Sequence, residues 1–278
     1  MIDPFKIDGP TCISFSFGRS SAYLLHRVLE SNGGLPEGSH VLSCNTGKEE
    51  EASLAFGWEI SERWSVPITL LEYRPGAGFE VVTFETASRN GEPFEAVIAQ
   101  RGGVLPNPRS RYCSSEMKTR TMHRYLRSLG IEEWETMLGI RADEPRRVAK
   151  FRFNPHPETP AEYVRIPLAD AFVSAHDVGA FWKAQPFDLQ LPNNNGKTMH
   201  GNCTRCFLKP AAQILSLEKE RHDPWWMVQE KKAESVATGD GCRFRNDRPS
   251  YAQIAAFAAE QKDMFDQDEE AISCLCGD

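Results

Sequence analysis

The chain lacks any run of about 18 uninterrupted apolar residues, which excludes a membrane-spanning helix of ordinary length, and no membrane partner is expected. Its opening stretch, MIDPFKIDGP, has neither the basic n-region nor the apolar h-region of an export signal, so the expected compartment is the cytoplasm. A cationic balance is also missing. Lys and Arg number 32 against 39 Asp and Glu, a net charge of -7, which counts against a protein that coats nucleic acid over a broad face. There is no internal repeat and no low-complexity segment. What the chain does have is length, 278 residues with 40% hydrophobic content, enough for one large core or a core with a smaller appendage. It also has eight cysteines, which in a long chain without an export signal suit ligand or nucleophile roles better than a disulfide framework.

The first two-thirds alternates strand and helix. Strands are expected at 11–17, 40–45, 67–73 and 134–140, with a short one in "YVRIPL"; helices are expected at 20–31, 49–64 and about 114–128. That order predicts an α/β fold, a Rossmann-like parallel sheet with flanking helices. "NPHPETP" (154–160) reads as a surface excursion. Beyond 201 only helices are expected, at 208–220, 224–237 and 251–266. The polar stretch "LPNNNGKTMHGN" (191–202) reads as a loop, dividing a nucleotide-binding domain, 1–200, from a helical, cysteine-bearing region, 201–278.

The stretch "SFSFGRSSAYLL" (14–25) runs from an apolar strand into a helix through Gly18, Arg19, Ser20 and Ser21. In a parallel sheet, the first strand-to-helix turn offers backbone N–H groups and the positive end of a helix to an anion. The turn therefore reads as a phosphate cradle; the plainer alternative is a serine N-cap. It does not end in Gly-Lys-Ser/Thr, which excludes the loop of the common NTPases. Two basic clusters stand downstream. The first holds Arg109, Arg111, Lys118, Arg120 and Arg124 around Glu116. The second holds Arg141, Arg146, Arg147, Lys150 and Arg152. Each is either a solvated face or an anion surface, and Arg141 has the further alternative of an ion pair with Asp143 or Glu144.

Four segments in order carry a resemblance: "SFSFGRSSA", "CNTGKE" (44–49), "RYCSSEMK" (111–118) and "GIRADEPRR" (139–147). Over roughly 11–210 the chain resembles the phosphoadenosine phosphosulfate reductase-like family of the adenine nucleotide alpha hydrolase, or PP-loop ATP pyrophosphatase, superfamily. Phe17 stands where that family's first loop glycine is usual, and Ser20 where many members have Asp. The resemblance implies an adenine nucleotide, ATP or a sulfonucleotide, with Mg2+. Ser16, Phe17, Gly18, Arg19, Ser20 and Ser21 would surround the phosphates, and Asn45, Thr46 and Gly47 would lie beside the adenosine. Gly139, Arg141, Glu144 and Arg147 would reach the phosphate or sulfate end, with Lys118 beside them.

Cys203-x-x-Cys206 in "GNCTRCFLK", Cys274-x-Cys276 in "SCLCGD" and Cys113 suit a thiolate-ligated zinc or iron–sulfur site; a redox dithiol is the alternative for the CxxC pair. The family likeness implies a 4Fe-4S cluster on Cys113, Cys203 and Cys206. Cys274 or Cys276 would be its fourth ligand, with Cys242 and His200 as other donors. Cys12 and Cys44 fall in strands and read as small buried residues.

Three functions follow. The first is an ATP pyrophosphatase-type enzyme that adenylates an acceptor, a tRNA or DNA, for sulfur transfer from a donor protein. The second is a sulfonucleotide reductase with Cys276 as nucleophile, although the E-C-G-[IL]-H tail usual there has no histidine here. The third is a non-catalytic nucleotide-binding cluster protein.

Overall fold

The computed structural model describes residues 3–194, 197–198, 200–201, 203–236 and 241–260. The chain runs β1 (Thr11–Ser14), α1 (Arg19–Asn32), β2 (Ser39–Asn45), α2 (Glu51–Arg63), β3 (Ile68–Glu72), β4 (Glu80–Val82) and α3 (Glu92–Gln100). A short helix α4 (Tyr112–Ser114) passes through a π-helical turn at Ser115–Thr119 into α5 (Arg120–Ser128). Then come β5 (Trp134–Leu138), α6 (Pro145–Phe153), β6 (Glu162–Arg165), α7 (Pro167–Asp170) and α8 (Ala175–Ala184). A two-stranded hairpin, β7 (Asn193–Asn194) and β8 (Lys197–Thr198), precedes α9 (Ala211–Glu220), α10 (Trp225–Glu234) and α11 (Tyr251–Glu260).

The six strands of the main sheet lie in the order β4-β3-β2-β1-β5-β6, all parallel except β4, which runs antiparallel to β3. β1 is central, and Ile13 aligns with Val41 on one side and Met137 on the other. Both neighbours follow it in the chain, β2 directly and β5 only after the sheet has grown outward through β3 and β4, so the order reverses beside β1 and the loops after β1 and β5 open a crevice between them. Alternation along β1 feeds two cores. Ile13, Phe15 and Phe17 join Leu24, Leu25, Phe56, Ile60 and Trp182 under α1, α2 and α8. Cys12 points the other way with Leu42, Cys44, Met122, Leu126 and Trp134 under α5. Both strand thiols are buried as small core residues.

A third core joins Tyr73, Phe94, Tyr112 and Met117 to Phe207, Ile214, Trp225, Trp226, Phe244 and Tyr251, so the C-terminal helices pack on α3 and the π-turn. The expected sheet and flanking helices are present, with corrections. β1 ends at Ser14 rather than 17, because the chain leaves the sheet for the turn at Phe17. The expected loop at 191–202 contains the hairpin β7–β8, and α9 starts at Ala211 rather than 208 because Pro210 is its N-cap. β4, α3, α6, α7 and α8 were not expected; they are short, three to ten residues, and give weak periodic signals.

Candidate functional site

The turn after β1 is built around one hydroxyl. Ser21 Oγ accepts from the amides of Ser16 (3.1 Å) and Gly18 (3.3 Å) and lies 2.9 Å from the Gly18 carbonyl. Those two amides are therefore occupied within the turn. Among the described residues no acceptor stands on the N–H groups of Phe17, Arg19, Ser20 or Ser21, the free donors that a helix start leaves over. Gly18 is extended at φ -111, and a Cβ there would meet only Ser16 Oγ at 3.8 Å, so its freedom of conformation is not what the turn needs. The positive φ falls on Phe17, at 56°, the residue standing in place of the family's usual glycine. Its ring is 5% exposed, edge-on to Phe15, and covers Gly57, where a Cβ would lie 2.4 Å from it. Packing holds Phe17 in a conformation that its backbone disfavours.

The turn lines a cleft of about 800 Å³, together with Thr46, Gly139, Arg141, Glu144, Arg147, Cys113, Lys118, Cys203 and Cys206. Residues expected from four separate segments thus meet at one place. Arg141 donates to Ser20 Oγ at 2.9 Å and to Asp143 at 2.9 Å, and lies 3.8 Å from Glu144. The ion-pair alternative and the link to the turn both hold. Arg147 pairs with Glu144 at 2.6 Å and is 58% exposed on the rim. Gly139 is where β5 touches the turn: a Cβ would lie 3.0 Å from the Ser21 backbone. Gly139→Ala is expected to cost about 1–2 kcal/mol by overpacking, whereas Gly18→Ala should leave stability within about 0.5 kcal/mol. Chemical denaturation of the two variants checks this; equal losses would contradict it.

Other expected residues are spent elsewhere. The Arg19 guanidinium is not free to clamp a phosphate. It forks onto Asp188 (2.7 and 2.8 Å) and donates to the Leu189 carbonyl and Thr198. Asn45 is fully buried, donating to Glu72 (2.6 Å) and the Ser88 carbonyl, and its oxygen accepts from Gly47 N. Gly47 itself sits where a Cβ would strike the Gly91 backbone at 2.8 Å. Of the three residues expected beside the adenosine, Asn45, Thr46 and Gly47, only Thr46 lines the cleft. Part of the first basic cluster is structural: Arg120 (2.8 Å) and Arg124 (3.6 Å), joined by Arg101 (2.6 Å) from the end of α3, surround the buried Glu116 on the π-turn.

The CxxC pair reaches the cleft from the far end of the chain. Thr204 N donates to the Lys48 carbonyl at 2.8 Å, and Cys203 Sγ lies 3.3 Å from Thr46 Oγ1 and 3.9 Å from Glu49. Between the cysteines, Arg205 is 2% exposed and bound to Glu218 at 2.6 Å. Lys209 Nζ gathers the carbonyls of His200, Cys203 and Thr204 at 2.8–3.2 Å. Burial, with the Glu49 carboxylate second, pushes the Cys203 thiol up; burial also raises Cys206, and it takes Cys113 up to about 11. Burial works against the charge on Lys118, but Glu49 at 3.3 Å and the neighbouring thiols outweigh it, so the ammonium stays charged. Glu49, Arg205, Lys209 and Asp188 are the site residues that sequence reasoning missed. The charges of Arg205 and Lys209 within "CTRCFLK" were the available signal for that pair.

A thiolate-ligated group fits this wall in donor chemistry: three thiols line one cleft, and Cys206 is close enough to influence both Cys113 and Cys203. They are not preassembled. Among the described residues no group of three or more His, Cys, Asp or Glu side chains is arranged to hold a metal ion. Cys274 and Cys276 lie outside the described residues. Among the described residues, too, no helix is long and apolar enough to cross a membrane.

No family model matches the chain. Over 212 residues it is 30% identical to the uncharacterized nin region protein ORF290 of Escherichia phage lambda, a match covering 73% of this chain and 67% of that protein. The chain belongs to the ORF290 family. That name assigns no activity, so the function of this ORF290 relative has to be argued from its cleft.

Proposed function

We propose that the cleft binds ATP and that the protein is a PP-loop ATP pyrophosphatase-type enzyme serving sulfur transfer. The observation that carries the reading is the meeting, in one cleft, of the unpartnered amides of Phe17 and Arg19–Ser21 with Arg141, Lys118 and three thiols. Free amides at the start of a 14-residue helix suit phosphate oxygens, and a guanidinium beside them suits charge that grows on a departing pyrophosphate. An acceptor oxygen attacks the α-phosphorus, the α–β bridge breaks and pyrophosphate leaves. A sulfur nucleophile then attacks the acceptor carbon, and AMP departs with the oxygen. Glu144 is the one carboxylate among the lining residues and already pairs with Arg147, so Mg2+ would travel with the triphosphate. Cys113, Cys203 and Cys206 would hold a 4Fe-4S cluster, which would supply redox sulfur chemistry, with Cys274 or Cys276 completing the ligands.

The test is anaerobic purification followed by two measurements. The protein is expected to be brown, with a broad charge-transfer band that Cys203→Ala or Cys206→Ala removes, and to convert ATP to AMP and pyrophosphate when an acceptor is present. Loss of turnover by at least about 100-fold is expected for Arg141→Ala. Stoichiometric zinc in a colourless protein would overturn the cluster. Release of sulfite from a sulfonucleotide in the presence of a dithiol reductant, with AMP or adenosine 3′,5′-bisphosphate as the nucleotide product and no ATP cleavage, would assign the protein to the reductases instead. Nucleotide binding with no turnover of either kind would make it a binding subunit.

A further inference from the structure

Helix α6 begins directly after Glu144 on the cleft rim, and none of its residues is buried. Its cations differ from Arg120 and Arg124 of the first basic cluster, which are drawn onto Glu116. Arg146 and Lys150 make no ion pair among the described residues, and Lys150 Nζ lies only over the Phe151 ring, at 5.0 Å. The helix ends in Phe153, 93% exposed. Arg152 pairs with Asp170 at 3.1 Å, which ties this end to the turn after α7.

That turn carries Phe172, 82% exposed with φ 56. Phe172 N donates to the Ala169 carbonyl and Val173 N to Leu168, so Phe172 stands in the left-handed position that closes a helix and that glycine normally fills. Phe17 has the same φ and is held there by a buried ring. Phe172 bears the backbone cost with its ring in solvent. The turn is fastened to the rim, since Ala142 N donates to the Val173 carbonyl at 2.8 Å and Ala175 N to Asp143 at 3.2 Å. Two exposed aromatic rings, Phe153 and Phe172, and two unpaired cations, Arg146 and Lys150, therefore stand on α6 and the turn tied to it, which lead away from the cleft rim at Glu144.

We infer that α6 and the Phe172 turn form a landing surface for single-stranded nucleic acid. Guanidinium and ammonium groups meet the backbone phosphates, and the two phenylalanines offer faces on which unpaired bases stack. An unpaired strand fits where a duplex does not, because its bases are free to leave one another for a protein ring. The inference rests on the proposed function and names the class of its acceptor.

The test uses the full chain and labelled 12-nucleotide single strands of DNA and of RNA, in fluorescence anisotropy at about 0.1 M salt. Binding of one or both is expected, and the tighter of the two identifies the acceptor type. Arg146→Glu with Lys150→Glu should weaken it at least about tenfold and flatten its salt dependence. Phe172→Gly separates recognition from folding: its urea midpoint should stay level or rise, since glycine suits that φ, while strand affinity falls at least about fivefold. Absence of binding to either strand at ~50 μM, far tighter binding of a duplex, or unchanged affinity in both variants overturns the surface. Titration of a non-hydrolysable ATP analogue on the same samples keeps the two readings apart. Nucleotide binding without strand binding ends this inference alone, and strand binding without nucleotide binding ends the proposed function alone.

Discussion

Arg205→Leu is expected to cost about 3–5 kcal/mol of folding stability, because it strips a buried carboxylate of its arginine partner. Arg205 is 2% exposed and holds Glu218 at 2.6 Å, the Leu217 carbonyl at 3.0 Å and Asp223 at 3.6 Å. Leucine fills part of the volume but leaves the buried Glu218 carboxylate with only the half-exposed His222 as a partner. Asp223 suffers less, because Lys48 at 2.8 Å remains, and its carboxyl is held below the usual range even though burial opposes this. The pair also decides where the cysteines stand, since Arg205 lies between Cys203 and Cys206 and binds their loop to α9. The double variant Arg205→Leu with Glu218→Leu should regain much of the loss, because a buried ion pair exchanged for apolar side chains is often near neutral, whereas half a pair is not. Urea unfolding of the three proteins measures it. A single-variant loss under about 1 kcal/mol would show that the ion pair does not anchor the loop.

Phe17→Gly should cost about 2–4 kcal/mol, although it installs the residue usual at this position in the PP-loop family that the segment resembles. Removing a buried phenylalanine costs about 3–5 kcal/mol, and relief of its left-handed backbone returns about 1. The ring packs against Phe15, and Gly57 leaves the space it occupies. Nucleotide affinity of the folded variant should change less than about threefold, because glycine adopts the same φ of 56 and the free amides keep their places. A stability loss with affinity intact is the signature; affinity lost with stability intact would mean that the Phe17 side chain contacts the ligand.

The positions of the elements were readable where periodicity was strong. β2 and β3, expected at 40–45 and 67–73, occupy Ser39–Asn45 and Ile68–Glu72, because an interior parallel strand must be apolar on both faces. The helix after the turn differs by one residue at each end. The short elements escaped notice, and α6 in particular turns only Val148 and Phe151 onto the small core of Ile140, Val164, Ile166 and Ala169, too short a stripe to read as a helix. That shallow packing leaves Arg146 and Lys150 exposed.

Sequence alone determined the α/β alternation, the turn at Gly18–Ser21, the order of the motif segments and the CxxC pair. Each is set by a backbone preference or a spacing within a few residues. Only the tertiary structure decided which partners those residues take. Arg19 is claimed by Asp188, 169 residues away; Thr46 meets Cys203, 157 residues away; and two arginines of one cluster collapse with Arg101 onto Glu116 while α6 keeps its own exposed. A guanidinium reads the same in sequence whether it will bind a ligand or a buried carboxylate. The choice belongs to the nearest uncompensated charge, and long-range packing alone puts that charge in reach.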